Sequence, residues 1–336
     1  MSTRETPEAP FSGLTPERVL NAIDALGYCT DGRLLPLNSY ENRVFLVGLD
    51  EAPSLVAKFY RPERWSNEAI GEEHAFVAEL ADAEVPVVPA IVGKDGGVLH
   101  AFESYRFALY PKQGGRAPEL DRAGTLERLG RFLARIHAVG ALRPFAHRPA
   151  LDLASFGYAS RDDLLDLGFI PPDLDAAYRS VIDLALAGVS ECFERVGAVT
   201  NIRLHGDCHV GNVLWTEDGA NSGPHFVDFD DSRSGPAVQD LWMLLSGSRE
   251  EMSVQLGQLL RGYEMFQEFD DRELGLIEAL RSLRLIHYAA WLARRWQDPA
   301  FPAAFPWFNT QRFWQDHILQ LREQVGAMQE EPLRAS

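Results

Sequence analysis

Three side chains that carry oxygen ligands lie close together in the sequence. Asp207 precedes Asn212 by five positions, and Asp228 follows Asn212 by sixteen. Phosphoryl transfer needs one carboxylate that orients the attacking hydroxyl and accepts its proton, and oxygen ligands that hold Mg²⁺ against the phosphates. The spacing therefore predicts a phosphoryl-transfer site, with Asp207 as the catalytic carboxylate and Asn212 and Asp228 as metal ligands.

The surroundings of these residues make the pattern more specific. Asp and Asn are common in turns because their side chains bond to nearby backbone groups, so a single D-x-x-x-x-N is a weak signal. Here short apolar strands at 213–215 and 225–227 flank the loop, and Asp228 is followed by Phe229. The arrangement matches the catalytic loop and the later D-F-G of protein kinases.

Two histidines and a cysteine in the same stretch allow a different chemistry. His205, Cys208 and His209 are residue types that bind zinc. The two histidines would share a face only on a helix, which Gly206 and Gly211 disfavour. We expect His205 to fix the loop and Cys208 to be packed, and a zinc-dependent hydrolase remains a weaker alternative.

A cation for nucleotide phosphates is expected in the N-terminal third of the chain. Lys58 lies in the strand pattern SLVAKFY (54–60), which is similar to the V-A-I-K strand of kinases. The helix that follows carries Glu72 and Glu73, and only one of them can face inward. Glu73 shares the apolar face of Phe76 and is the preferred partner of Lys58. Glu72 remains the alternative partner.

No glycine-rich phosphate motif, neither GxxxxGK[ST] nor GxGxxG, occurs in the sequence. The polar loop LNSYENRV (37–44) stands at the start of the first predicted hairpin instead. Its backbone N–H groups and hydroxyls can cover phosphates. Such loops are also common as simple connections, so this signal is unspecific.

The elements that must position these residues divide the chain into two parts. The patterns predict a helix at 15–27, strands at 42–49 and 54–60, a helix at 66–84, and strands at 98–102 and 105–110. The Pro/Gly cluster at 111–115 marks the boundary. Beyond it, helices are predicted at 122–139, 173–197, 236–246, 250–267, 273–296 and 309–328, interrupted by a β-like stretch at 200–230. The prediction is a bilobal α+β fold, with a small β-rich N-lobe (1–111, of which 1–13 is disordered) and a larger, mainly helical C-lobe (112–336).

Composition limits the function further. The 336 residues include 32 basic and 49 acidic side chains, a net charge of −17, which disfavours binding to nucleic acid or anionic lipid. Three cysteines without paired spacing fit a reducing compartment. With no apolar stretch long enough to span a membrane, we expect a cytoplasmic monomer.

The motifs resemble a known family. HGDCHVGNVLW (205–215) and FVDFDD (226–231) are similar to the aminoglycoside-phosphotransferase branch of the protein-kinase-like fold. Six further motifs, in order, resemble the stress response kinase A group of bacterial serine/threonine protein kinases: LNSYENRV (37–44), KFYRPERW (58–65), EEH (72–74), HRP (147–149), GPAVQDLWMLL (235–245) and RRWQDPAFPAAFPW (294–307). The resemblance covers residues 15–332.

The resemblance also implies roles for individual residues. Asp207 matches the catalytic aspartate, Asn212 the metal-binding asparagine, and Asp228 a metal ligand that is also counted in the active site. On the nucleotide side, three residues match ATP-binding positions: Ser39 in the phosphate-covering loop, Lys58, and Tyr110 in the hinge at 109–112. In the helix behind the catalytic loop, Asp240 matches a structural aspartate.

The implied function is an ATP- and Mg²⁺-dependent serine/threonine protein kinase of a bacterial stress response, one that phosphorylates itself. A small-molecule kinase acting on an amino alcohol, sugar or aminoglycoside is the alternative, since this fold hosts both. A catalytically silent nucleotide-binding module is a third, disfavoured reading. Phe229-Asp230 replaces Phe-Gly and no A-P-E follows, so control through an activation-loop phosphosite is not expected.

Overall fold

The computed structural model of the chain describes residues 10–217 and 222–336. Its N-terminal part is built on one antiparallel sheet in the order β1-β2-β3-β5-β4. The strands are β1 (Thr30–Pro36), β2 (Arg43–Leu49), β3 (Ala52–Phe59), β4 (His100–Phe102) and β5 (Tyr105–Pro111), and the helices are α1 (Pro16–Asp24) and α2 (Asn67–Asp82).

The two faces of β3 serve different purposes, because successive side chains of a strand point to opposite sides. Leu55, Ala57 and Phe59 join the apolar cluster that α1 covers. Val56 and Lys58 point to the other face and line a cavity. The sheet thus places Lys58 on a central strand, opposite Val44 of β2 and Ala108 of β5.

Helix α2 connects the sheet to the rest of the molecule. It begins after Ser66, whose Oγ accepts the backbone N–H of Ala69 at 3.2 Å, as an N-cap should. Phe76 and Leu80 on its apolar face are fully buried and belong to the large core of the C-terminal part. This packing fixes α2 against the helices below the sheet and buries Glu73 on the side of Lys58.

The C-terminal part is mainly helical, with two small β-ladders. Strands β6 (Ile202–Leu204) and β9 (Arg233–Gly235) pair antiparallel, as do β7 (Val213–Thr216) and β8 (Gly223–Phe226). The helices are α3 (Thr125–Gly140), α4 (Ala159–Asp166), α5 (Asp175–Val196), α6 (Val238–Trp242), α7 (Arg249–Tyr263), α8 (Ile277–Arg295), α9 (Ala300–Ala304) and α10 (Gln311–Ala327). Within the described ranges, none combines the length and hydropathy that a bilayer crossing requires.

Glycine allows α3 and α7 to pack closely. A Cβ added at Gly130 would lie 2.0 Å from the carbonyl oxygen of Leu259, and one at Gly262 would lie 1.9 Å from that of Glu127. Any side chain at either position would therefore separate the helices.

The fold class predicted from the sequence is confirmed, with a five-stranded antiparallel sheet followed by a helical C-lobe. The predicted elements missed β1, β9, α4 and α9. They also began α8 too early, because residues 271–276 form a 3₁₀ turn before the α-helix starts at Ile277. These short elements carry too few periodic residues to be recognised.

The lobe boundary at residues 111–112 remains a prediction. The disorder predicted for residues 1–13 falls, for residues 1–9, outside the described residues. Residues 10–13 form a turn in which the Phe11 ring stacks on Tyr105 at 6.4 Å between centroids.

Candidate active site

The loop between β6 and β7 is held from behind by a buried carboxylate. Asp240 of α6 accepts the backbone N–H groups of His205 and Gly206, each at 2.9 Å. The His205 ring is buried and its Nε2 donates to the carbonyl of Val227 at 2.9 Å. At Gly206, φ is +85° and a Cβ would lie 2.4 Å from the carbonyl of Asp231, so the loop requires glycine there. These contacts fix the backbone next to Asp207.

Asp207 is the most strongly engaged carboxylate of this loop. Its Oδ1 lies 2.5 Å from Nη1 of Arg284, and its Oδ2 lies 3.5 Å from Nε2 of His209. Burial alone would raise the pKa of Asp207, but the His209 hydrogen bond and the Arg284 guanidinium hold it well below its usual range. Asp207 is therefore ionised, as a group that receives a proton must be.

Asn212 and Asp228 lie side by side at the ends of β7 and β8. The side-chain amide nitrogen of Asn212 donates to the backbone carbonyl of Asp207 at 3.0 Å, and the backbone carbonyl of Asn212 accepts the N–H of Val227 at 3.0 Å. Asp228 has a left-handed backbone (φ +60°), which is rare for a residue with a side chain and common at functional sites. Its carboxylate is 57% exposed.

These two side chains fit a divalent cation by their donor chemistry. A carboxylate and a carboxamide oxygen are hard ligands of the kind that Mg²⁺ prefers, and Mg²⁺ usually completes its shell with water and phosphate oxygens. The amide nitrogen of Asn212 is already used by Asp207, so its Oδ1 is the atom that would ligate. Among the described residues no cluster of three or more His, Cys, Asp or Glu side chains is placed to hold a metal without such help.

Lys58 is buried at the centre of a carboxylate cluster. Its Nζ lies 3.4 Å from Oε1 of Glu73, 3.2 Å from Oδ1 of Asp228 and 3.2 Å from Oδ1 of Asp230. Burial alone would lower the pKa of Lys58, but Asp230, Glu73 and Asp228 outweigh it and raise that pKa well above its ordinary value. Lys58 therefore stays charged beside the predicted metal ligands.

The structure also places the two glutamates between which the sequence left a choice. Glu73 faces Lys58, whereas Glu72 points outward and accepts the backbone N–H groups of Ala146, His147 and Arg148 at 2.6, 2.9 and 3.0 Å. Arg148 reaches back to α2, where its Nη1 donates to the carbonyl of Ala69 at 2.9 Å. Glu72 and the HRP motif thus attach α2 to the loop after α3.

Asp230 and Asp231, next to the D-F-G-like position, bind arginines rather than leading into an activation segment. Arg64 is hydrogen-bonded to Asp230, and its Nη2 lies 2.8 Å from Oδ1 of Asp231. Arg233 lies 2.9 Å from the same Oδ1. Burial would raise the pKa of Asp231, but Arg64 and Arg233 lower it to about 2. Asp230 and Asp231, which follow Phe229 where a kinase carries glycine, therefore form an ion-pair network with Arg64 and Arg233.

A first cavity of about 350 Å³ lies between the sheet and the β7–β8 ladder. Its polar side carries Lys58, Glu73, Asn212 and Asp228, and Tyr110 of β5 lies on its wall with its hydroxyl 3.0 Å from that of Tyr60. Apolar side chains from both parts of the chain form the remaining wall: Val44, Val56, Val77, Val88, Ala90, Leu214, Val227 and Phe229. Apolar walls with one charged end suit a nucleotide. We call this the nucleotide cavity.

A second cavity of about 480 Å³ adjoins the first, and we call it the acceptor cavity. Asp207 lines this cavity and not the nucleotide cavity. Its aromatic walls are Tyr40, Phe156, Tyr288, Trp291 and Phe305. The two cavities share Asn38, Ser39, Asn42, Gly211, Asn212 and Asp228. The predicted metal ligands thus stand where the cavities meet.

The loop that separates the cavities is fastened to α8. Glu41 accepts Nε1 of Trp291 at 2.5 Å and Nε of Arg295 at 3.0 Å, and Tyr40 packs edge-on against Phe305. Ser39 in the same loop donates its hydroxyl to the carbonyl of Asn42 at 3.1 Å. The predicted phosphate-covering loop is therefore held in place by side chains rather than left free by glycine.

Sequence analysis did not identify three arginines that this site contains. Arg284 contacts Asp207, whereas Arg64 and Arg148 contact residues 230–231, and each reaches its partner from far away in the sequence. Arg64 and Arg148 do fall within quoted motifs, KFYRPERW and HRP, which was the available signal. Arg284 lies in an apolar helix pattern that indicates only a packed core, so nothing in the sequence marked it.

With this geometry established, the comparisons with known proteins define the class. The phosphotransferase enzyme family (APH) matches residues 33–277, which is more than half of the chain. The chain therefore belongs to the phosphotransferase enzyme family. The carboxylates and the carboxamide around the junction of the two cavities agree with that class.

Two relatives narrow the class. The chain is 45% identical over 324 residues to "Serine/threonine protein kinase RdoA" of Salmonella typhimurium (strain LT2), and 44% identical over 324 residues to "Stress response kinase A" of Escherichia coli (strain K12). Each alignment covers 96% of this chain and 96% of the relative. The resemblance to the stress response kinase A group is thus confirmed.

Solved structures share the fold at low sequence identity. The amicoumacin kinase hAmiN, in complex with AMP-PNP, Ca²⁺ and Ami, gives a TM-score of 0.70 at 18% identity and covers 95% of each chain. A microcompartment-associated aminopropanol kinase gives 0.67 at 18% identity, covering 92% of this chain and 96% of its own. These similarities show the kinase-like fold.

Proposed function

We propose that the protein is an ATP- and Mg²⁺-dependent kinase that phosphorylates serine or threonine hydroxyls of proteins, itself included. One observation carries the proposal: Asn212 and Asp228 lie where the two cavities meet, while Asp207 faces only the acceptor cavity. A donor phosphate in the first cavity and a hydroxyl in the second would meet at these residues. The names of the two relatives support the protein substrate and the role in stress.

On the nucleotide side, the chain binds and orients the phosphates. Lys58, held by Glu73, would contact the α- and β-phosphates, and Ser39 would lie against the phosphates in the covering loop. Asn212 and Asp228 would hold Mg²⁺, which neutralises phosphate charge when bound. Tyr110 and its neighbours on β5 would form the wall against the base. Most of the rate then comes from positioning and from fixed charges.

On the acceptor side, Asp207 orients the hydroxyl for in-line attack. As the oxygen bonds to the γ-phosphorus, the bond to the ADP oxygen breaks and the hydroxyl proton passes to Asp207. The fixed loop behind Asp207, with its bonds to Asp240, keeps the carboxylate aimed while it changes charge. We further propose that the protein acts as a cytoplasmic monomer, in agreement with its acidic composition.

The test is transfer of γ-labelled phosphate from ATP with Mg²⁺, using a generic basic protein as acceptor and the kinase itself. Acid-stable label on serine or threonine supports a protein kinase, and a phosphopeptide map shows whether Ser39 is among the modified residues. Absence of label on any protein, with MgATP still bound, contradicts the protein substrate.

A small-molecule acceptor is the second candidate, and two observations favour it. The acceptor cavity is compact and aromatic, and the solved structures with this fold include an aminopropanol kinase and an amicoumacin kinase. Adding amino alcohols and aminoglycosides to the same assay separates the two. Phosphorylation of such a compound without label on protein would establish the alternative.

A further inference from the structure

Arg284 lines the acceptor cavity and contacts Asp207, the carboxylate that takes the hydroxyl proton in the proposed reaction. It extends from α8, its Nη1 lies 2.5 Å from Oδ1 of Asp207, and 40% of its side chain is exposed on the cavity wall. Throughout the part of the chain that the structure describes, no second carboxylate lies within ion-pair distance of Arg284. The arginine thus pairs with the group that must accept a proton.

The other cationic side chains of this cavity already have partners outside the reaction. Arg64 is bound by Asp230 and Asp231, and Arg233 is bound by Asp231. His287 carries no charge near neutral pH, since burial and the neighbouring Arg233 and Arg294 lower its pKa to about 3. None of these three groups changes its charge balance when phosphate is transferred.

His209 lies on the other side of Asp207. Its Nδ1 accepts the backbone N–H of Gly211 at 3.0 Å, so Nε2, which lies 3.5 Å from Oδ2 of Asp207, is the ring nitrogen that donates to the carboxylate. This contact is longer than that of Arg284, and its single N–H orients the carboxylate. Arg284 is therefore the cation of the cavity whose ion-pair partner takes the proton.

Charge balance during the reaction determines what Arg284 must do. When Asp207 takes the hydroxyl proton it loses its negative charge, and Arg284 loses its counter-ion. At the same moment a phosphoryl group with two negative charges arrives on the acceptor oxygen next to Asp207. A guanidinium offers planar paired donors that match phosphate oxygens.

We propose that Arg284 is a catalytic residue. Its guanidinium leaves the Asp207 carboxylate, binds the transferred phosphoryl group, and so stabilises the charge of that group from the acceptor side. This inference rests on the proposed kinase function. The bonds are those already described: the acceptor oxygen bonds to phosphorus, the ADP oxygen leaves, and the proton goes to Asp207. Arginines that act on transferring phosphoryl groups in other enzymes contribute roughly 10³–10⁵ in rate.

The first test compares Arg284→Gln, Arg284→Lys and wild type in single-turnover phosphate transfer. We expect Arg284→Gln to lower the rate about 10²- to 10³-fold while the Kd of MgATP changes less than about twofold, because Arg284 does not line the nucleotide cavity. Arg284→Lys keeps the positive charge but lacks the paired planar donors of the guanidinium, and its rate should be about tenfold higher than that of Arg284→Gln. The matched control is Arg281→Gln on the same helix, whose arginine pairs with Glu278 away from both cavities and should retain the wild-type rate.

The second test uses MgADP with aluminium fluoride, which mimics the phosphoryl group in transfer. Wild type should bind MgADP with aluminium fluoride much more tightly than MgADP alone. In Arg284→Gln the ratio of these two affinities should be at least tenfold smaller. If wild type transfers phosphate and Arg284→Gln equals or exceeds it, Arg284 merely pairs with Asp207 and the inference is wrong while the kinase stands. If wild type transfers no phosphate to any acceptor, the proposed function fails and this inference with it.

Discussion

The two cavities differ in where their residues come from. The polar side of the nucleotide cavity is built from Lys58, Glu73, Asn212 and Asp228, each within a short motif, and its walls are mostly aliphatic side chains. The acceptor cavity draws its aromatic walls from the loop at 38–42, the π-helix at 153–158, α8 and the segment after α9. The residues proposed to bind phosphate thus lie in local motifs, whereas the residues of the proposed acceptor cavity come together only in the assembled fold.

Substitutions in the nucleotide cavity should therefore have the largest effects on kcat/KM. Lys58→Met should lower kcat/KM about 10²- to 10³-fold, because it removes the cation from the phosphates. It also leaves Glu73, Asp228 and Asp230 without their shared partner, and breaking such a buried pair destabilises a protein by about 3–5 kcal/mol. Transfer assays and urea unfolding measure the two effects. The exposed Lys94→Met is the control, and equal losses in both variants would remove the special role of Lys58.

On the acceptor side, kinetic effects should fall on the acceptor alone. Tyr288→Ala removes an exposed ring from the acceptor cavity and should raise the KM for the acceptor about tenfold, which is the effect of losing about 1.4 kcal/mol of contact. The KM for MgATP should stay within about twofold. Tyr158→Ala, a similarly exposed tyrosine outside this cavity, provides the comparison. A larger change in the KM for MgATP than in that for the acceptor contradicts the assignment of the cavities.

Changes in the loop at 38–42, which lines both cavities, should have a moderate effect on the KM for MgATP. Glu41→Gln weakens the attachment to Trp291 and Arg295, so the loop would cover the phosphates less firmly. We expect the KM for MgATP to rise about three- to tenfold, in line with the loss of about one charge-assisted hydrogen bond. Steady-state kinetics at several ionic strengths measure this. An unchanged KM would mean that the loop is positioned without α8.

Outside both cavities, a buried carboxylate should affect stability and leave the kinetics unchanged. Glu273 accepts the N–H of Val238 at the start of α6, and burial raises its pKa to about 7. A raised pKa means that its contribution to stability is fully present below about pH 4.5 and is lost as pH rises towards 7. The free energy of unfolding of the wild type should therefore fall by about 2–3 kcal/mol between pH 4.5 and 7, and Glu273→Gln should not show this fall. Urea unfolding at pH 4.5 and 7 measures it, and identical pH slopes in both proteins would contradict the assignment.

The same contrast explains how much could be predicted from the sequence. The bilobal fold follows from strand alternation, helix periodicity and the Pro/Gly cluster at 111–115, and the positions of Lys58, Asp207 and Asn212 follow from fixed spacing. The choice between Glu72 and Glu73 rested on one helix face, and the structure shows each with its own partner.

What could not be predicted depends on contacts between distant segments. Arg284 reaches Asp207 from 77 positions away, and Trp291 reaches Glu41 from 250. Neither pair has a spacing that local physics favours, because only packing of α8 against the catalytic loop brings them together. The left-handed backbone of Asp228 was equally hidden, since no glycine marks it.

The most direct test of the account is phosphate transfer by Asp207→Asn, measured together with the Kd of MgATP. The asparagine keeps the shape of the side chain but cannot accept the hydroxyl proton, so the account predicts a loss of transfer of about 10²- to 10⁴-fold. MgATP should bind with nearly unchanged affinity, since Asp207 does not line the nucleotide cavity. Full turnover by Asp207→Asn would contradict the central claim that Asp207 is the base of a phosphoryl-transfer site.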